Sequence, residues 1–306
     1  MPGSTNPYIL GYSINSRKPD SDPSNVPTFV PTGATFSTFD DAHDEGLNAL
    51  NFLVMTNHHT FPTDPSAGLF SNNWLKSNDY DGRFIISERI FLDQWLIPIL
   101  TQTLDIGPAT PTDTGWSFDQ KHENNHTVVN GARCVTKLTM VDAHIEESSQ
   151  ATAKISLANA GPNKTVISMN GSFRKDYKNS FLCIFPESMS ETAVINWDGT
   201  LTLSAGTDGQ VDLDLKMNVP DATKNTDGSL LGKMDIALIP DNQKILNDIG
   251  ISFENSIKNR FNALQSFLGN LHKKFILPAG GVFFFKNLQM DDNGNVILEV
   301  TYKSLD

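Results

Sequence analysis

The chain has little cysteine, no long apolar run, few basic residues and no nucleotide or nucleophile signature, and each shortage removes a class of protein. Its two cysteines, Cys134 and Cys183, cannot build a disulfide scaffold or a zinc ribbon. Both stand in apolar, strand-like surroundings, where a buried free thiol is the ordinary outcome. No stretch approaches the roughly 20 apolar residues of a membrane span. The N-terminus, MPGSTNPYILGYSINSRKP, has neither a basic start nor an apolar run of signal-peptide length. The expectation is therefore cytoplasmic synthesis without a signal peptide, with release by a non-classical route left open. Lys and Arg number 23 against 35 Asp and Glu, a formal net charge of −12. Basic residues gather in nothing larger than pairs such as Arg174-Lys175 and Lys273-Lys274. A surface of that sign repels phosphate backbones and anionic bilayers, which argues against nucleic acid as a partner. The patterns G-x-S-x-G, Walker A and G-x-G-x-x-G are missing as well.

What is present is globular: 39% hydrophobic and 19% charged residues over 306 positions. The pattern reads as one elongated domain, 1–306, with five parts. Residues 1–40, rich in Pro, Ser, Thr and Asn, suit an extended segment laid against a body. Residues 41–125 read as helical and mixed. Asp40-Asp41 open a helical pattern through Leu47, Leu50, Phe52 or Leu53, and Val54, and 60–82 read as a loop. Phe84–Ile86 reads as a strand, followed by a helix that buries Phe91, Trp95 and Leu96 and stops at Pro98. The stretch 103–120 is polar and rich in Pro and Gly. Residues 126–240 read as antiparallel sheet. Asn130-Gly131 separates two β-rich runs, and Asp198-Gly199 signals a tight hairpin. In QVDLDLKMNV, Val211, Leu213, Leu215, Met217 and Val219 alternate with Asp212, Asp214, Lys216 and Asn218, giving one dry face and one wet.

Residues 241–277 give the clearest helical period: Ile245, Ile249, Phe253, Ile257, Phe261, Leu264, Leu268, Leu271 and Phe275 recur at steps of three and four. About thirty helical residues span roughly 45 Å. Pro278 ends the pattern, and 278–306 reads as a closing hairpin, VFFFKNLQM and VILEVTYK around Asn293-Gly294. Ordinary strands reach only about 17–20 Å, so a helix of that length asks for a broad, coiled sheet running along it. The expected fold class is α+β, a long C-terminal helix wrapped by a highly curved antiparallel sheet, with Phe283, Phe284 and Phe285 on a strand beside it.

LNALNFLVMT, DGRFIISERIFLDQWLIPIL, KKFILPAGGVFFFKN and NVILEVTYK resemble segments of the clostridial neurotoxin-cluster family that contains the forty-seven-kilodalton and OrfX proteins. They fall at both ends and in the middle of the chain, in matching order. The resemblance implies the tubular lipid-binding (TULIP) superfamily, in which a curved sheet wraps a long helix and an apolar groove often holds a lipid. It implies no catalytic residues, and as partners it implies lipids or proteins of a toxin complex.

The expected function is thus non-catalytic binding of a lipid or other apolar ligand, lined by Phe253, Ile257, Phe261, Leu264, Leu268, Phe283 and Phe285. A second reading is an accessory component of a toxin or secreted complex with a closed core. A third is an enzyme of secondary metabolism, a cyclase or isomerase using an apolar cavity. No cofactor and no metal is expected. The segment HENNH, 122–126, fits H-E-x-x-H, with Glu146 as a third ligand; on a helix, His122 and His126 would hold zinc and Glu123 would activate water. Asn124-Asn125 and the strand-like TVVNGARCVTKLTM beyond them argue against that helix and for chance occurrence in a loop. His58-His59 reads as loop, and His43, His144 and His272 stand alone. Asp291-Asp292-Asn293-Gly294-Asn295 resembles half a calcium loop, but a hairpin turn accounts for it.

Overall fold

The structure is a computed structural model, and it describes residues 29, 31–56, 60, 75, 77, 79–113, 115–133, 140–159, 164–182, 186–205, 211–228, 240–271, 284–291 and 294–301. Cys134, Cys183, His58, His59, His272, Phe275 and Phe283 lie outside the described residues, as do Pro278 and Tyr302.

Four strands form the body: β5 (Gly115–Arg133), β6 (Met140–Asn159), β7 (Lys164–Leu182) and β8 (Pro186–Ala205). Each has 19 or 20 residues, several times the usual length, and each pairs antiparallel with the next. Short strands finish the sheet: β4 (Ala109–Thr112) beside β5, and β9 (Val211–Asn218) and β10 (Thr223–Gly228), both on β8. Strict alternation fixes the faces. Phe118, Ala153, Phe173, Ile195 and Leu213 point to the dry side, while Asp119, Lys154, Arg174, Asn196 and Asp214 are exposed on the wet one. The alternation expected of 211–219 is seen, with Leu213 buried and Asp212, Asp214, Lys216 and Asn218 exposed.

Helix α2 (Pro240–Leu271) lies on the dry side. Leu246, Phe253, Ile257, Phe261, Leu264 and Leu268 are buried, at steps that follow the 3.6-residue period. Leu246 and Gly250 are buried where Ile249 is only half-buried, so the stripe begins one position off the expected row. Before it in the chain, α1 (Ile97–Leu104) continues directly from a π-helical segment, Arg89–Leu96. Its Leu100 and Leu104 join the same core, and Arg260 of α2 donates to the Leu104 carbonyl (2.9 Å) and pairs with Asp105 (3.1 Å). A second, smaller sheet is formed by β11 (Phe284–Met290), β12 (Val296–Thr301) and β3 (Gly82–Ile86), with β11 packed against β7 and β8. Phe285, Leu288, Val296, Leu298 and Val300 close the core there.

Several expectations are corrected. The TULIP-like plan of a long helix wrapped by a coiled sheet does not form: among the described residues strand accounts for 62% and helix for 24%, in three separate antiparallel sheets. The helical residues from 240 to 271 are covered on one side only. Asn247, Asp248, Ser252, Asn255, Asn259 and Ala263 face water, and Ile251 and Phe267 are about half exposed. The premise of short strands was at fault. Strands of 20 residues reach about 65 Å, more than the roughly 48 Å of the helix, so helix length alone does not require a wrapping sheet. The helix expected after Asp41 is instead a strand, β2 (Ala49–Thr56), paired with β1 (Pro31–Phe39). Asp198-Gly199 makes no turn. It lies inside β8, paired with Asn170 and Met169 on one side and Asn218 and Met217 on the other. Asn130-Gly131 likewise sits within β5, between Val128 and Ala132, where the register shifts as at a bulge. Pro98 does not stop its helix. The preceding π-helical turns shift the hydrogen-bond ladder, Ile97 donating to the Leu92 carbonyl, and Pro98 falls at the second position of α1, where a missing N–H costs little. The helix ends at Asp105 in the left-handed region. The polar stretch 103–120 holds β4 and the start of β5.

Candidate functional site

Three places on the molecule gather distinctive side chains: the seam between α2 and the sheet, the polar face of the sheet, and the β1–β2 hairpin.

The seam contains the residues expected to line an apolar groove. Phe253, Ile257, Phe261, Leu264, Leu268 and Phe285 are all buried. The dry face of the sheet carries small residues among its larger ones, Ala151, Ala153 and Ala193, all buried. Phe261 packs against that face: its ring lies 5.9 Å from Phe173, edge-on, and 5.1 Å from Trp197, tilted. Trp197 in turn stacks on Phe173 and crosses Gly171, where a Cβ would come within 2.8 Å of the indole. Phe285, on β11, meets Phe84 of β3 edge-on at 6.0 Å. The structure thus gathers the helical five into one buried row, with the Phe261 ring packed against the sheet, and places Phe285 in the smaller sheet. Toward the N-terminal end of α2 the seam turns polar. Tyr177 and Glu191 are both buried and share a short hydrogen bond, the tyrosine donating, while Thr226 donates to the other carboxylate oxygen (3.3 Å). Gly250 stands over this pair, leaving room for the tyrosine hydroxyl. Burial and the adjacent carboxylate push the Tyr177 phenol far above its ordinary value.

On the wet face, two neighbouring rungs of the sheet are polar throughout. One is Glu123, Ser148, Asp176 and Thr192; the next is Asn125, Glu146, Lys178 and Ser190. They line most of a cavity of about 380 Å³. Asp176 takes two hydrogen bonds from Arg174, each 2.7 Å, and one from Thr192 (2.6 Å). The Arg174 bonds hold its carboxyl below the usual carboxylate range. This is a set of cross-strand pairs on a solvated sheet, with Glu146 also 3.8 Å from Lys178.

The H-E-x-x-H segment lies on β5, not in the loop expected for it. His122 and His126, both exposed, are four residues apart on a strand and so about 13 Å apart along it. Imidazoles sharing one zinc must both approach to about 2.0–2.1 Å. Glu123 points to the opposite face, and Glu146 pairs in register with Asn125. The helical geometry the motif needs is absent, so these residues form no zinc site. Asp291 serves as a turn residue, accepting from the backbone and side chain of Asn295 (both 2.8 Å), and Asn295 accepts from the Glu88 backbone (3.0 Å) just before the π-helical segment. Among the described residues no three His, Cys, Asp or Glu side chains converge as metal ligands.

β1 and β2 pair with one another and, among the described residues, with no other strand. Phe36 and Phe52 stand directly opposite each other across the ladder, 69% and 62% exposed, with Leu50 beside them at 45%. Residues of the other face, Ser37, Phe39, Asn51, Leu53 and Met55, are half-buried. The connection is held by its own side chains. Asp41 accepts from the backbones of His43 (2.9 Å) and Asp44 (3.1 Å), Asp44 from Gly46 (2.8 Å), and Asn48 from Asp41 (2.7 Å). Between residues 31 and 56 the acids Asp40, Asp41, Asp44 and Glu45 cluster at this tip, and neither Lys nor Arg occurs. The period-two order Leu50, Phe52, Val54 was the available signal; Leu47, Leu50 and Val54 fit a helix equally well, the ambiguity of every short apolar run.

No protein-family model and no curated protein matches this sequence. Among solved structures, the chain is similar to P47 of Clostridium botulinum E1, at 12% sequence identity and a TM-score of 0.37. The alignment covers 92% of this chain and 62% of that one, less than two thirds of its length. P47 is a structural neighbour at low identity, and the tubular lipid-binding assignment does not follow from it. Among the described residues no helix is long and apolar enough to cross a membrane.

Proposed function

We propose that the chain is a non-catalytic interaction protein, an accessory component of a larger assembly, with a closed hydrophobic core. The observation that carries this reading is a contrast: aromatic side chains fill the helix–sheet seam, while two phenylalanines of a separate hairpin stand in water. A lipid between α2 and the sheet would have to displace Phe261 from Phe173 and Trp197. Covering the hairpin by a partner, by contrast, disturbs nothing in the core and gains about 25 cal/mol for each Å² of apolar surface removed from water. The clostridial segments quoted above suit a role within a toxin-type complex, and that role is part of the proposal.

Native mass spectrometry of the purified protein tests the closed core. The expected species is the bare 33.7 kDa chain. A stoichiometric lipid adduct, with Phe261→Trp fluorescence responding to added lipid, would overturn this reading in favour of an apolar-ligand carrier.

A further inference from the structure

We infer that the β1–β2 hairpin is the docking arm, and that its partner is a separate protein presenting an apolar strip bordered by lysine or arginine. This deepens the interaction reading above and rests on it. Two independent features of the arm point the same way. The first is the exposed trio Phe36, Phe52 and Leu50 on one face of a two-stranded ladder that, among the described residues, pairs with no other strand. Such a ladder is at best marginal in water by itself, and burial of its apolar face would stabilise it. The second is charge. Four carboxylates, Asp40, Asp41, Asp44 and Glu45, sit at the tip with no cation between residues 31 and 56. The tip's own hydrogen bonds hold the chain in shape there, so the carboxylates come as a preset group. An apolar face beside a fixed anionic tip complements an apolar strip with a basic border. An anionic bilayer is repelled by the same tip, and a second copy of this chain, at −12, would bring like charge to like charge.

The test uses the full chain and a synthetic amphipathic peptide of leucine and lysine, whose apolar stripe is flanked by ammonium groups, followed by fluorescence anisotropy at about 0.05 M and 0.5 M salt. Expected is binding that Phe36→Ser/Phe52→Ser weakens at least about tenfold at both salt concentrations. The isosteric set Asp40→Asn/Asp41→Asn/Asp44→Asn/Glu45→Gln keeps the acceptors of the tip and should weaken binding at low salt only. Circular dichroism and the thermal midpoint of each variant verify folding, and the charge variant stands as the test if the phenylalanine variant misfolds. Equal affinity for wild type and the phenylalanine variant would place the peptide elsewhere on the acidic surface and overturn the inference. So would a concentration-dependent dimer, or sedimentation with phosphatidylcholine vesicles, that Phe36→Ser/Phe52→Ser abolishes. Phenylalanine-dependent binding with no response to the charge variant would overturn the basic border alone. A lipid adduct in the mass spectrum speaks to the closed core and not to the arm.

Discussion

Single side chains explain the polar interior. Tyr177 and Glu191 occupy directly opposed positions of β7 and β8 on the dry face, where a carboxylate is costly unless bonded. The tyrosine hydroxyl and Thr226 supply those bonds, and Gly250 provides the space. Tyr177→Phe leaves the carboxylate with one neutral partner and is expected to cost about 1–3 kcal/mol in urea unfolding. The raised phenol also sets a pH dependence. In the unfolded chain Tyr ionises near its ordinary value of about 10. The folded protein keeps the proton above that pH, so stability falls as pH rises past about 10. Thermal midpoints taken from pH 8 upward should show wild type losing stability in this window more steeply than Tyr177→Phe; parallel curves would remove the phenol from the account. None of this was visible in the sequence, because QVDLDL-type alternation says which residues face inward but not that a Glu and a Tyr on different strands meet there.

Among the elements, the row of α2 and the alternation of β9 were the most legible, since both have a period that repeats often enough to exclude the other kind of structure. Less legible were the long strands. Asp198-Gly199 and Asn130-Gly131 carry the local chemistry of tight turns, yet both lie within strands of 19 or 20 residues. Pairing on both sides overrides turn propensity in β8. Gly199 also lies where a Cβ would strike Met217 of the neighbouring strand, a packing reason for a glycine that composition cannot distinguish from a turn. Phe261 joins the two elements most directly. Phe261→Ala removes the ring that fills the space over Phe173 and Trp197 and is expected to cost about 3–5 kcal/mol, measured by urea denaturation. A loss below about 1 kcal/mol would mean that the seam is looser than its contacts indicate.

At the scale of the whole molecule, the described residues form one continuous hydrophobic core to which the β1–β2 hairpin does not contribute. The core runs from Phe91 and Leu104 through Phe173 and Phe261 to Leu288 and Leu298, whereas no residue of β1 or β2 belongs to it. Replacing Phe36 and Phe52 by Ser should therefore change the thermal midpoint little, by the equivalent of about 0.5 kcal/mol or less. A large drop would show that the hairpin stabilises the body and is not an independent arm. The candidate arm escaped sequence reading for the reason that it escapes the core: eight residues, ALNFLVMT, are too few to separate a helical stripe from a strand, and their exposure is a property of what lies beside them.

By itself the sequence determined what periodicity and charge determine: an amphipathic helix toward the C-terminus, alternating strands through the middle, and an acidic net charge. Tertiary structure alone decided strand length, the one-sided cover of the helix, the scattering of His122 and His126 along a strand, and the exposure of Phe36 and Phe52. The physical reason is that period and net charge are sums over neighbours in the chain. Pairing, packing and exposure depend on neighbours in space, and those are fixed only when the whole sheet has formed.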